Sequence, residues 1–290
     1  MINLELPDFK KTKLMLSESK IIALYCIVDD MLKSFGHRED MRARVSDSEV
    51  ITTAFVSALY FGGHTDNARH FMAMKGYVPG MLCKSRFCRR LHRLSDLLVE
   101  MFYWMGQYLK DMAGASDYVL DSFPVAACDN MRIARSKVLK GEAFRGRHAS
   151  MRRYFYGVRV QLLTLGGVPV EFCLVPGREN DCLALGRLPF QVAPESSIYM
   201  DAGYTDYGAE DDAWEAEAIR LMVARKCNSK RKDEPHIGFL KGAMRKQVET
   251  VISELKAKML RNIHAVTQEG FVLKVNLFVI AFAFDKAVVA

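Results

Sequence analysis

A change of period at Asp117 constrains this chain more than any other feature of its sequence. Upstream, apolar residues recur at helical spacing, as in Ile21, Ile22, Leu24, Tyr25, Val28, Met31 and Leu32. Downstream, Tyr118-Val119-Leu120-Asp121-Ser122-Phe123-Pro124-Val125 reads as a buried strand with one acid inside it. A chain that switches period once is predicted to have two parts: a helical region over residues 1–113 and an α/β region over residues 114–290.

In the first part, helices are predicted from Leu16 to Phe35, from Val50 to Tyr60, from Asn67 to Lys75 and from Leu97 to Leu109. Ser46 with Glu49 three residues on forms a capping box before the second of them, and Gly62-Gly63 ends that helix. Arg38 to Arg44 reads as a charged linker. Ser85 is a candidate cap for a basic helix displaying Arg86, Arg89, Arg90 and Arg93, a surface that suits a helix-turn-helix-like DNA reader. A plain helical bundle with exposed arginines fits the same residues.

In the second part, Tyr154–Leu165 and Val168–Val175 form a hairpin about Gly166-Gly167. Strands at Ser197–Asp201 and Ile219–Val223 complete a five-stranded mixed sheet. Short helices are expected at Asp181–Leu188 and Gly208–Ala218, and the segment from Asn130 to Ser150 as irregular. A basic loop over 226–246 leads to a helix at Arg245–Met259, where Val248, Val251, Ile252, Leu255 and Met259 make one stripe at about 100° per residue. Arg245, Glu249 and Lys256 fall together beside that stripe, and Glu254 falls opposite. Taken alone, this is also the pattern of a surface ion-pair ladder.

The net charge of +7 favours a polyanionic partner. The excess sits in two segments. Arg132 to Arg159, which includes Arg152 and Arg153, holds nine Lys or Arg against one acid. The other runs from Lys226 to Lys246. Basic segments that bracket carboxylates favour phosphate contact. Seven cysteines at irregular spacing, with no signal peptide in view, predict free thiols in a reducing cytosol. Cys83, Cys88 and His92 have the look of zinc ligands but lack a fourth partner, and burial in the core is the expected fate of the cysteines. No apolar run predicts a membrane span.

Asp121 and Asp201 each interrupt an apolar strand, where an unpaired carboxylate is costly. With Glu249 they make three acids on core-facing elements. An oxygen-only set suits a hard cation, Mg²⁺ or Mn²⁺. Two such ions about 4 Å apart are a known device for attack on a phosphodiester.

The segments Leu120–Val125, Asp201-Ala202-Gly203-Tyr204 and Val248–Lys256 together resemble the DDE transposases of bacterial insertion sequences, nearest the IS982-like branch of the IS4/IS5 group. Arg245, Glu249 and Lys256 fall in register with that group's Y-x2-R-x3-E-x6-K signature, and Gly242 stands at its Tyr position. Ser46–Ile51, Ser85-Arg86-Phe87 and Arg89-Arg90 are similar to the same branch. The resemblance implies an RNase H-like catalytic domain, metal ligation by Asp121, Asp201 and Glu249, and contact of Arg245 and Lys256 with DNA phosphates. It further implies a cytosolic enzyme that cleaves the ends of its own element and joins the freed 3′-hydroxyl to target DNA, working as a homodimer on double-stranded DNA. Asp181, after Asn180, is a candidate helix cap or supporting residue, and His148 is expected to be exposed. A nuclease of the same fold without strand transfer, and an inactive DNA-binding derivative, are the alternatives.

Overall fold

The computed structural model describes residues 18–128, 133, 136, 138–148, 153–259 and 263–289. Five helices come first: α1 (Glu18–Ser34), α2 (Asp47–Tyr60), α3 (Thr65–Met74), α4 (Lys84–Arg93) and α5 (Ser95–Ala113). The capping box at Ser46 and Glu49 is formed, each side chain bonding the other residue's backbone N–H. Helix α4 starts one residue before the predicted cap. Cys83 takes the N-cap backbone position without a side-chain bond, so Ser85 lies inside the helix.

From Asp117 the chain forms β1 (Asp117–Cys128), β2 (Arg145–His148), β3 (Arg153–Leu165), β4 (Val168–Pro176), α6 (Asp181–Leu185), β5 (Ser197–Met200), α7 (Tyr207–Glu217), β6 (Arg220–Val223), α8 (Pro235–Lys258) and α9 (Gln268–Val289). The sheet has six strands, not five. The extra one, β2, is a four-residue strand, Arg-Gly-Arg-His, lying within the segment expected to be irregular and pairing with the start of β3. Strand β3 is antiparallel to β1 and β4, while β1, β5 and β6 run parallel, giving the order β4-β3-β1-β5-β6 with β2 beside β3. The basic stretch expected to be a loop is half helix, since α8 begins at Pro235, ten residues before Arg245. Pro at the first turn of a helix removes only an N–H that has no intrahelical acceptor.

The sheet is covered on both faces. Val119, Phe123 and Val125 of β1 join an apolar cluster with residues of α1, α2, α4, α5, α8 and α9. Their neighbours Tyr118 and Leu120 face a second cluster with Leu185, Ile198, Tyr204 and Val223, as the alternation of a strand requires. Helix α9 is buried along its middle, from Phe278 to Phe284, and packs against α2, α5 and β4. Gly106 allows α5 to sit directly on β4: a Cβ there would lie 2.2 Å from the Val170 carbonyl oxygen. Among the described residues no helix is long and apolar enough to cross a membrane. All seven cysteines are free, and Cys26, Cys83 and Cys227 are exposed rather than buried in the core.

Candidate active site

The register of the parallel strands brings two of the acids together. Leu120 pairs with Met200 as the last rung between β1 and β5. Asp121 and Asp201 are the next residues along each strand, side by side at the carboxyl end of the parallel pairing of β1 with β5, the end at which α/β sheets bind ligands. Beyond this rung β1 is free of β5, so Pro124 is tolerated on the open edge. By strand parity Asp121 shares the face of Val119 and Phe123, the face on which α8 packs.

Helix α8 supplies the third acid. Val248, Val251, Ile252 and Leu255 are buried, which turns Glu249 and Lys256 toward the strand ends. A cleft of about 510 Å³ is lined by Asp121, Asp181, Asp201, Glu249, Arg159 and Lys256, among others. Glu254 points away and pairs with Lys286 of α9 at 2.5 Å.

Each strand acid accepts a hydrogen bond from the next backbone N–H: Ser122 to Asp121 Oδ1 at 2.7 Å, Ala202 to Asp201 Oδ1 at 2.6 Å. Arg245 lies between the other two acids, its Nη1 at 3.2 Å from Asp201 Oδ1 and its Nη2 at 3.4 Å from Glu249 Oε1. The i, i+4 ion pair of α8 is therefore present, with a partner from β5 added to it. Among the described residues no cation lies within bonding distance of Asp121. Burial pushes its carboxyl up to about 6, opposed by the Ser122 N–H and by Arg245, and reinforced by Asp201 and Asp181. Lys256 lies over the Phe123 ring, 5.2 Å from its centroid, and desolvation holds its ammonium below the ordinary lysine range while Asp121 pulls it back up.

These oxygens suit a hard divalent cation by chemistry: carboxylates only, one of them desolvated and lacking a cation. They are more widely set than the oxygens and nitrogen of His37, Glu39 and Asp47, the one group of metal-ligating side chains among the described residues whose ligand atoms all lie within 4.8 Å of one another. That tighter group already holds a cation, since Arg90 reaches Asp47 at 2.5 Å and Glu39 at 3.3 Å.

The predicted DNA-contacting arginines are placed unequally. Arg86 and Arg89 are exposed and line a groove of about 550 Å³ with Arg38, Arg42 and Arg93. Arg90 borders the same groove, but its guanidinium is committed to Asp47, Glu39 and the Val45 carbonyl, tying α4 to the start of α2. Arg152 lies outside the described residues, and of Arg153 only the backbone, opening β3, is described. The side chain of His148 is likewise outside them. Cys83, Cys88 and His92 form no metal-ligating group.

The sequence did not point to Arg159 or Gln161 as site residues, and it offered Asp181 as a helix cap or supporting residue. Gln161 is wholly buried between Val160 and Leu162 in the middle of β3. A polar residue inside an apolar run was the available signal.

A family model for the transposase DDE domain matches residues 113–266, a span that holds Asp121, Asp181, Asp201 and Glu249. The chain belongs to this family of DNA transposases. No curated protein matches it in sequence. Among solved structures, the cryo-electron microscopy structure of the piggyBac transposase synaptic complex with hairpin DNA matches with a TM-score of 0.47 and 9% identity, over 92% of this chain and 72% of that one.

Proposed function

We propose that this chain is the transposase of an insertion sequence, with an RNase H-like catalytic domain over residues 114–290 and a DNA-binding helical region over residues 1–113. It would bind the terminal inverted repeats of its element, cleave a phosphodiester there and transfer the 3′-hydroxyl end to target DNA. Support for the fold comes from three antiparallel strands followed by two parallel ones, in the order β4-β3-β1-β5-β6. The observation that carries the reading is the register that sets Asp121 and Asp201 one residue past the Leu120–Met200 rung, with Glu249 across the cleft.

In this reading Asp121, Asp201 and Glu249 hold two divalent cations, Mg²⁺ or Mn²⁺. Bound there, the ions supply activation of a water or 3′-hydroxyl and stabilisation of the leaving oxygen at phosphorus. The protein's part is to fix the three carboxylates and to keep the cleft open to a strand of DNA. Arg245 and Lys256 stand at its edge as phosphate contacts, and Arg245 would exchange its carboxylate partners for a phosphate when DNA binds. Arg86 and Arg89 contact the duplex at a distance from the cleft. Arg90, fixed by its acids, shapes that surface. Two copies of the chain, one for each end of the element, bring the ends together.

The test is Mg²⁺-dependent nicking of DNA that carries the element's terminal repeats. Asp201→Ala is expected to lose activity by about three orders of magnitude or more, roughly 4 kcal/mol of barrier. Cleavage by Asp201→Ala at the wild-type rate refutes the proposal.

A further inference from the structure

Asp181 sits where the two strand acids are held to each other. Its Oδ1 accepts from Ser122 Oγ at 2.8 Å and from Gln161 Nε2 at 3.1 Å, with Arg159 Nη1 farther off at 3.9 Å. Ser122 is the residue after Asp121. Its side chain leaves β1 by the opposite face, so Asp181 reaches β1 from behind the acid. The other oxygen lies against the turn that follows Asp201: a Cβ on Gly203 would stand only 3.2 Å from Asp181 Oδ2. The same turn is tied a second time, because the Tyr204 hydroxyl donates to Gln161 Oε1. Burial keeps that phenol well above its ordinary value, and so protonated as a donor. A third tie comes from the next residue of α6, whose Cys182 Sγ contacts the Gly203 carbonyl at 3.1 Å. Helix capping does not account for Asp181, since Asn180 caps α6 through its own side chain, accepting from Leu183 N at 2.8 Å.

We infer that Asp181 is a positioning residue that sets the separation of Asp121 and Asp201, by bracing β1 at Ser122 against the turn after β5. One of its oxygens is filled by two donors and the other is packed on Gly203. Although Asp181 borders the cleft, its oxygens are turned to Ser122, Gln161 and the glycine turn, and the group acts through them. Gly203 is part of the device, because a Cβ there would press on the carboxylate, which would have to give by a few tenths of an ångström.

The inference rests on the reading of the cleft as a divalent-cation site, and the test separates the two. Mn²⁺ binding to the full chain is measured by calorimetry for wild type, Asp181→Ala and Asp181→Asn, with thermal melting to establish folding. Asp181→Ala is expected to bind 10- to 100-fold more weakly, the range typical for partners that orient metal ligands. Asp181→Asn is expected to recover binding to within about 3-fold of wild type, because its amide oxygen still accepts from Ser122 and Gln161. An Asn variant as weak as the Ala variant overturns the inference in favour of a role for the charge itself. An Ala variant that binds as tightly as wild type overturns it outright. If wild type binds no Mn²⁺, the metal reading fails and crystal structures decide the brace. Displacement of the Ala202–Tyr204 turn from Ser122 in Asp181→Ala supports it, and an unmoved turn refutes it.

Discussion

Lys110 and Glu171 meet at 2.6 Å between α5 and β4, with side chains only 3% and 1% exposed. In and around the cleft, by contrast, four carboxylates stand with three cations, Arg159, Arg245 and Lys256, with Glu249 56% exposed and Asp201 43%. The first is a closed pair of one cation and one anion, further fixed by the Gln191 N–H at 3.0 Å. The second is left with excess negative charge and with an acid, Asp121, that burial holds partly against ionisation. A protein core tolerates charge when it is matched on the spot. An unmatched set of acids at the end of a sheet destabilises the fold, and its presence is a reason to look for a cationic ligand.

The sharpest way to break this comparison is to unmatch the closed pair. Lys110→Met leaves Glu171 buried with one oxygen, Oε2, already without a partner among the described residues. The expected loss is about 3–5 kcal/mol of unfolding free energy, read from urea denaturation. Mn²⁺ affinity of the folded protein should not change, because α5 contributes nothing to the cleft. Replacing both members, Lys110→Met with Glu171→Leu, should recover most of the loss. A single mutant as stable as wild type shows that the pair is not closed to water.

The opposite result is expected in the cleft, where removing a charge should stabilise. Asp121 is raised to about 6 in the folded chain, against about 3.9 when unfolded. Between those values the folded state holds more protons than the unfolded one, so stability falls as pH rises from about 4 to about 6 and stays lower above that. The upper bound on the fall is about 3 kcal/mol. Asp121→Asn removes this part of the pH dependence and should be more stable than wild type at pH 7, while losing nicking activity. Urea midpoints for both proteins at pH 4.5 and pH 7, without divalent metal, check it. Parallel pH profiles for the two proteins show that Asp121 is not the group under strain.

The same contrast explains what could be read along the sequence. Asp121 and Asp201 stood out because each broke an apolar strand, and a strand has a period short enough to expose one wrong residue. The hairpin of β3 and β4 and the stripe on α8 were legible for the same reason: their signals lie within a few residues. Strand β2 was not, since Arg145-Gly146-Arg147-His148 carries no apolar alternation and is a strand only because β3 lies beside it. The start of α8 was hidden by Pro235, Gly238 and Gly242. Arg90 looked like its neighbours on α4 until Asp47, 43 residues away, claimed it. Arg245 had a visible partner in Glu249 at helical spacing, but Asp201 reaches it only through the fold. Asp181 is the extreme case: Asn180 before it marks a helix start, but its partners Ser122 and Gln161 are 59 and 20 residues distant, so its tie to the strand acids is visible only in the fold.

Gly242 offers the smallest and most discriminating change. It lies within α8, three residues before Arg245, and a Cβ there would meet nothing within 4 Å. Its backbone is not among the positive-φ glycines, so alanine fits without strain. Gly242→Ala should raise stability by about 0.5–1 kcal/mol by reducing the freedom of the unfolded chain. Its immediate neighbour on the same helix, Lys241, is buried and anchored to the Val223 carbonyl at 2.9 Å and to Asp233 at 2.6 Å. The helix is thus fixed on its core side and carries Glu249, half-exposed and paired with Arg245 of the same helix, on the other. If the cleft needs only a rigid platform, nicking by Gly242→Ala should equal or exceed wild type. If nicking falls while the urea midpoint rises, Arg245 must swing away from Asp201 and Glu249 for the reaction to proceed, and the glycine before it is what lets that part of α8 bend.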